Sequence, residues 1–176
     1  DGMTSASIMK ETLEQMGAEV QVYLPNRFTD GYGPNESVYK YFIEQQGISL
    51  IVTVDNGVAG NEAIAYAQEQ GVDVIVTDHH SMPSQLPDAY AIVHPEHPDA
   101  DYPFKYLAGC GVAFKLATAL LETIPTEMLD LVAIGTIADM VSLTDENRIM
   151  VKVGLEILKT TERIGLQELL RISDVD

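Results

Sequence analysis

Two short segments carry residues that could do chemistry. Asp78-His79-His80 follows the run Val72-Asp73-Val74-Ile75-Val76-Thr77, and Asp55-Asn56-Gly57 follows Ile48-Ser49-Leu50-Ile51-Val52-Thr53-Val54. Carboxylate oxygens with an imidazole nitrogen suit Mn²⁺ or Mg²⁺ better than structural zinc, which favours Cys and His. Two such ions ~3.5–4 Å apart can activate a water and stabilise the leaving oxygen of a phosphate ester. Taken alone, Asp55-Asn56-Gly57 reads as a turn after a strand; in register with Asp78-His79-His80 it points to a cation site. Asp139 ends the apolar run Leu131 to Ala138. A carboxylate buried there needs a partner, so it is either a cation ligand or a polar residue at the helix end. Asp1 precedes a helix pattern and by itself reads as an N-cap.

The elements that position these residues follow from periodicity. Glu44-Gln45-Gln46-Gly47 leads into the first β-branched run and Glu69-Gln70-Gly71 into the second, with Gly47 and Gly71 24 residues apart. A helix pattern over 59–70 lies between them. Near-continuous apolar strands joined by a helix suit a parallel sheet buried on both faces, with a right-handed crossover. The 24-residue echo predicts that Asp55 and His79 occupy equivalent positions on neighbouring strands about 4.8 Å apart. Both then lie at the carboxyl ends of their strands, where ligands bind in open α/β sheets.

Ile8, Leu13 and Met16 predict a helix stopped by Gly17. Residues 18–24 alternate as a half-buried strand, 25–35 read as loop, and Asn35 or Ser37 caps a helix that runs to Gln46. A further strand is expected over 89–93. After a polar loop at 94–106, helix patterns cover about 110–122, 126–140, 146–159 and 166–171. The expected fold is α/β, a mostly parallel sheet flanked by helices over 1–94, with a mainly helical part over 95–176.

Composition narrows the function classes. The 176 residues carry 27 Asp and Glu against 10 Lys and Arg, a net charge of −17. That argues against a broad basic nucleic-acid face and against an anionic membrane surface, but not against a narrow site that handles phosphate through cations. The one cysteine, Cys110, sits in Leu107-Ala108-Gly109-Cys110-Gly111-Val112 and reads as a packed thiol, which excludes an internal disulfide and a four-cysteine zinc site. No apolar run reaches the ~18–20 residues of a membrane span, and no signal-peptide pattern opens the chain, so a reducing cytoplasm is expected. The opening Asp1-Gly2-Met3 and the closing Ile172-Ser173-Asp174-Val175-Asp176 suggest a fragment of a longer protein.

The ordered set of motifs resembles the DHH phosphoesterase superfamily, named for the tripeptide that stands here as Asp78-His79-His80. Asp1-Gly2 resembles the tail of its first motif, followed in family order by Val54-Asp55-Asn56-Gly57 and Gly135-Thr136-Ile137-Ala138-Asp139. Three stretches look most similar to the bacterial RecJ branch of single-strand-specific exonucleases: Pro25-Asn26-Arg27 leading to Gly31-Tyr32-Gly33, Tyr102 to Lys115, and Asp145-Glu146-Asn147-Arg148.

The resemblance implies a Rossmann-like DHH domain over the whole chain, without the earlier residues of the first motif and without the second domain that clamps substrate. It implies that Asp1, Asp55, His79 and Asp139 ligate Mn²⁺ or Mg²⁺, with Asp55 shared by two ions. It implies that His80 contacts the scissile phosphate and that Asp78 orients its neighbours. Arg27 is a phosphate contact or a solvated loop residue. The implied activity is a metal-dependent 5′→3′ exonuclease on single-stranded DNA in recombination and repair, with a single-strand-binding protein as an implied partner. Two alternatives stand beside it: a phosphodiesterase of short oligoribonucleotides or cyclic dinucleotides, and a non-catalytic scaffold, against which the intact Asp55, His79, His80 and Asp139 argue.

Overall fold

A computed structural model describes residues 1–31 and 33–173. Tyr32, the centre of the Gly31–Gly33 motif, and residues 174–176 of the closing segment lie outside the described residues. Three parallel strands, β1 (Leu50–Val54), β2 (Asp73–Thr77) and β3 (Ala91–Val93), form a sheet in the order β1-β2-β3. The helices are α1 (Gly2–Gln15), α2 (Glu36–Gln46), α3 (Asn61–Glu69), α4 (Gly109–Leu121), α5 (Leu129–Asp139), α6 (Asp145–Leu158) and α7 (Ile164–Ile172). A 3₁₀ turn, Thr126–Met128, precedes α5.

Local signals explain most of the boundaries. Of the two caps expected for α2, Asn35 serves: its side chain accepts the Ser37 amide at 2.8 Å and the Val38 amide at 3.3 Å. Gly47 ends α2 in the left-handed conformation, φ 62°. On α6 the buried residues Asn147, Met150, Val151 and Gly154 fall at helical spacing along one face. Gly154 lets α6 lie against α5, since a Cβ there would stand 2.1 Å from the Leu129 carbonyl oxygen.

The sheet is covered on both faces. One core joins α1, α4, α5 and α6 through Ile8, Phe114, Met128, Val132 and Met150, with Val52, Val54 and Val93 packed against it from the strands. The second core, on the other face, joins α2 and α3 to the sheet through Tyr39, Ile64, Val74 and Val76. The two-residue period of the strands sends Val52 and Val54 to the first core and Ile51 to the second. Thus α1 packs on α4 and α5, and the helical C-terminal part shares its core with the beginning of the chain.

Two expectations are corrected. The alternating segment 18–24 joins no ladder among the described residues. Alternation makes a strand only where a partner supplies hydrogen bonds; here Val22, Tyr23 and Leu24 remain exposed, and Tyr23 instead sets its ring edge-on to Phe42 at 5.6 Å. The second correction is one of register. Leu50 pairs with Asp73 and Val54 with Thr77, so Asp55 extends its strand opposite Asp78, not opposite His79. The chain enters β2 two residues after Gly71 but enters β1 three residues after Gly47, which slips the ladder by one relative to the glycine echo.

Candidate metal centre

The site forms where β1 and β2 end. Asp55 leaves β1 with φ 54°, a left-handed conformation that aspartate tolerates better than most residues. Gly57 follows at φ 115°, and a Cβ there would stand 2.6 Å from Thr53 Oγ1. That crowding admits only glycine, and Thr53 Oγ1 donates to the Asn56 carbonyl at 2.6 Å to close the turn. The bend brings Asp55 back toward His79 despite the one-residue slip.

Asp78 organises the other strand end. It is 1% exposed. Its Oδ2 accepts the Val58 amide at 3.0 Å; its Oδ1 accepts the His79 amide at 2.8 Å, the His80 amide at 3.2 Å and the His80 ring through Nδ1 at 2.6 Å. Burial alone would raise its carboxyl pKa, but the Val58 amide and the His80 contacts outweigh this and hold it below the usual carboxylate value. A carboxylate accepts only, so the shared proton sits on His80 Nδ1 and leaves Nε2 as that ring's remaining nitrogen.

Three carboxylates face one imidazole nitrogen. His79 Nε2 lies 3.1 Å from Asp55 Oδ1, 3.5 Å from Asp1 Oδ2 and 3.8 Å from Asp139 Oδ2. The 3.1 Å approach is misaligned for a hydrogen bond, and both Asp55 Oδ1 and His79 Nε2 are buried without a hydrogen-bond partner. Burial would lower the His79 pKa, but Asp55 and then Asp139 beside it hold it above the ordinary imidazole value. Among the described residues, two groups of ligand atoms each lie within 4.8 Å of one another: Asp55, His79 and His80, and Asp1, His79 and Asp139. His79 is common to both groups, while Asp55 falls in one.

Asp1 and Asp139 reach the cluster from helix ends. The Asp1 side chain makes no capping bond to α1. It turns to the start of α4, where Oδ2 accepts the Gly109 amide at 2.7 Å and Oδ1 the Cys110 amide at 2.8 Å. Negative charge is favoured at that helix terminus. Asp139 is the last residue of α5, where a carboxylate opposes the helix dipole unless a cation lies near it.

Sequence reasoning missed Gly109 and the two amides that hold Asp1. The small-residue run Ala108-Gly109-Cys110-Gly111 was the available signal: a Cβ at Gly109 would stand 2.6 Å from Asp55 Oδ1. Cys110 itself is fully buried, and burial pushes its thiol pKa up to about 11. Arg27 lies exposed in the turn between Asn26 and Asp30.

The donor set therefore fits hard divalent cations. Orphaned buried atoms and three carboxylates convergent on the His79 imidazole, with His80 beside them, match Mn²⁺ or Mg²⁺ more closely than structural zinc. Fold and site together define an α/β domain with a carboxylate–imidazole centre at the carboxyl rim of a parallel sheet.

The family model of the DHH family, N-terminal domain, matches residues 1–136, and the chain belongs to that family. The single-stranded-DNA-specific exonuclease RecJ of Bacillus subtilis is 54% identical over 176 residues, which are 100% of this chain and 22% of the relative. The protein of the same name from Thermus thermophilus is 37% identical over 172 residues, 95% of this chain and 25% of its own length. Among solved structures, exonuclease RecJ bound to manganese superposes with a TM-score of 0.85 at 36% identity, covering 96% of this chain and 44% of that one. RecJ in complex with Mn²⁺ from Thermus thermophilus gives a TM-score of 0.84 at 33% identity, covering 99% of this chain and 25% of that one. The chain thus spans about a quarter of the curated relatives' length.

Proposed function

We propose that this chain is the DHH domain of a divalent-metal-dependent exonuclease that hydrolyses single-stranded DNA from its 5′ end, in recombination and repair. The observation that carries the reading is the convergence of Asp1, Asp55 and Asp139 on the unpartnered His79 Nε2. The names of the RecJ relatives and the manganese in their solved structures support the substrate and the metal.

Asp1, Asp55, His79 and Asp139 would hold two Mn²⁺ or Mg²⁺ ions. The resemblance to the DHH family gives Asp55 as the ligand that both ions would share. The ions would supply a water activated at neutral pH and charge neutralisation on the phosphate. The protein's own part is orientation. The Gly109 and Cys110 amides fix the Asp1 carboxylate; the turn at Gly57 fixes Asp55. Asp78 would hold the His80 ring through Nδ1, and the resemblance to the DHH family gives that ring the contact to the scissile phosphate. Arg27 supplies a further phosphate contact through its guanidinium fork. With a net charge of −17, this domain leaves the basic track for DNA to other parts of the protein.

The reading carries two further expectations: a cytoplasmic location and contact with a single-strand-binding protein. Among the described residues no helix is long and apolar enough to cross a membrane. The test is to incubate the full-length protein with Mn²⁺ and single-stranded DNA labelled at either end. Early release of labelled mononucleotide from the 5′ end supports the reading. An intact strand, with hydrolysis of short oligoribonucleotides or cyclic dinucleotides, overturns the substrate.

A further inference from the structure

A groove of about 250 Å³ opens directly beside His79. One wall is Tyr106 and Leu107; the other is Val141 and Ser142, just past the end of α5. Its rim carries one cation, Lys105, and one anion, Glu96. Lys105 Nζ donates to the Pro95 carbonyl at 2.9 Å. A groove of balanced charge with apolar walls suits a flat neutral group, whereas a phosphate would call for an excess of cations.

Tyr106 is the feature that a core does not explain. It is 64% exposed, while its neighbours Phe104 and Leu107 are buried. The buried Phe104 ring holds it edge-to-face at 5.8 Å, which fixes the phenol ring without covering it.

The Asp145–Arg148 motif, to which the metal centre gives no role, braces this groove. Asn147 is fully buried, and its Nδ2 donates to the Tyr106 carbonyl at 2.6 Å and to the Ser142 carbonyl at 3.0 Å. One amide thus ties the two walls together at a set width. Glu146 accepts from Tyr102 and from Lys115, each at 2.5 Å, and anchors the start of the Tyr106 segment to α4.

We propose that this groove seats a nucleobase of the single strand whose phosphate lies at the metal centre, with the Tyr106 ring as its stacking face. The inference rests on the proposed nuclease reading and adds a base-binding element to it. A phenol face accepts every base, so the contact gives grip without sequence preference.

The test uses the full-length protein, Mn²⁺ and single-stranded DNA, with an abasic residue scanned along the first nucleotides from the 5′ end. Tyr106→Ala raises KM about tenfold with kcat within about twofold, and Tyr106→Phe, which keeps the ring, stays near wild type. At one position the abasic residue costs the wild type the same factor and costs Tyr106→Ala nothing more. An unchanged KM in Tyr106→Ala, or abasic losses that multiply with it at every position, overturns the inference and leaves the nuclease reading standing. A wild type that releases no nucleotide from any single strand overturns that reading, and the stacking role falls with it.

Discussion

The Asp1 carboxylate caps a helix that begins 108 residues later, accepting the amide of Gly109 at 2.7 Å. Gly109 in turn lies so close to Asp55 that no side chain fits between them. One glycine therefore sets the positions of two carboxylates from distant parts of the chain. Gly109→Ala is expected to displace Asp55 and weaken Mn²⁺ binding by about 10–100-fold, the range found when groups that orient ligands are changed. Calorimetric titration with Mn²⁺ reads this directly, and unaltered affinity would separate Gly109 from the site.

Asp55 and His80 are expected to part company. Asp55→Ala abolishes the rise in Tm that Mn²⁺ gives the wild type, because it removes the ligand proposed to be shared by both ions. His80→Ala keeps that rise and lowers turnover by ~10²–10³-fold, the range for removing one group that stabilises charge at the reacting centre. Loss of the Tm rise in His80→Ala would make His80 a ligand.

The ion pair under α5 should matter for stability. Asp130 is 2% exposed and takes hydrogen bonds from Thr161 at 2.7 Å and from Arg163 Nε at 3.1 Å. Arg163 also pairs with Glu11 of α1, so one guanidinium joins α1, α5 and the turn before α7. Arg163→Met leaves the Asp130 charge buried and is expected to destabilise by about 3 kcal/mol. Urea unfolding at neutral pH measures it; Asp130→Asn in the same background should restore part of the loss.

The Glu146 pairing predicts a pH dependence. Burial would raise the Glu146 pKa, but the hydrogen bonds from Lys115 and Tyr102 outweigh it and hold it below the ordinary glutamate value. A depressed carboxyl pKa stabilises the folded state fully above the unfolded value and loses that contribution as pH falls through the folded one. The stability difference between wild type and Glu146→Gln is therefore present at pH 7 and narrows as pH drops below about 4.5. Urea midpoints of both proteins across that window check it.

Much of this was legible in the sequence for physical reasons. Asn35 and Gly47 announced the ends of α2, and β-branched runs announced β1 and β2. Asp55, His79 and Asp139 stood out because polar residues closed apolar runs. The register was not legible, because a turn one residue shorter before β2 shifts the ladder without changing either strand's pattern. The segment 18–24 misled because alternation reports which face is apolar, not whether a partner strand is there. The Asp1–Gly109 bond was invisible because nothing local marks two residues so far apart as neighbours.

Whether Asp1, Asp55, His79 and Asp139 form a two-cation centre is read by titration calorimetry of the full-length protein with Mn²⁺. Two ions bind per chain in the wild type, and both are lost in Asp55→Ala. Equal stoichiometry and affinity in wild type and Asp55→Ala would contradict such a centre.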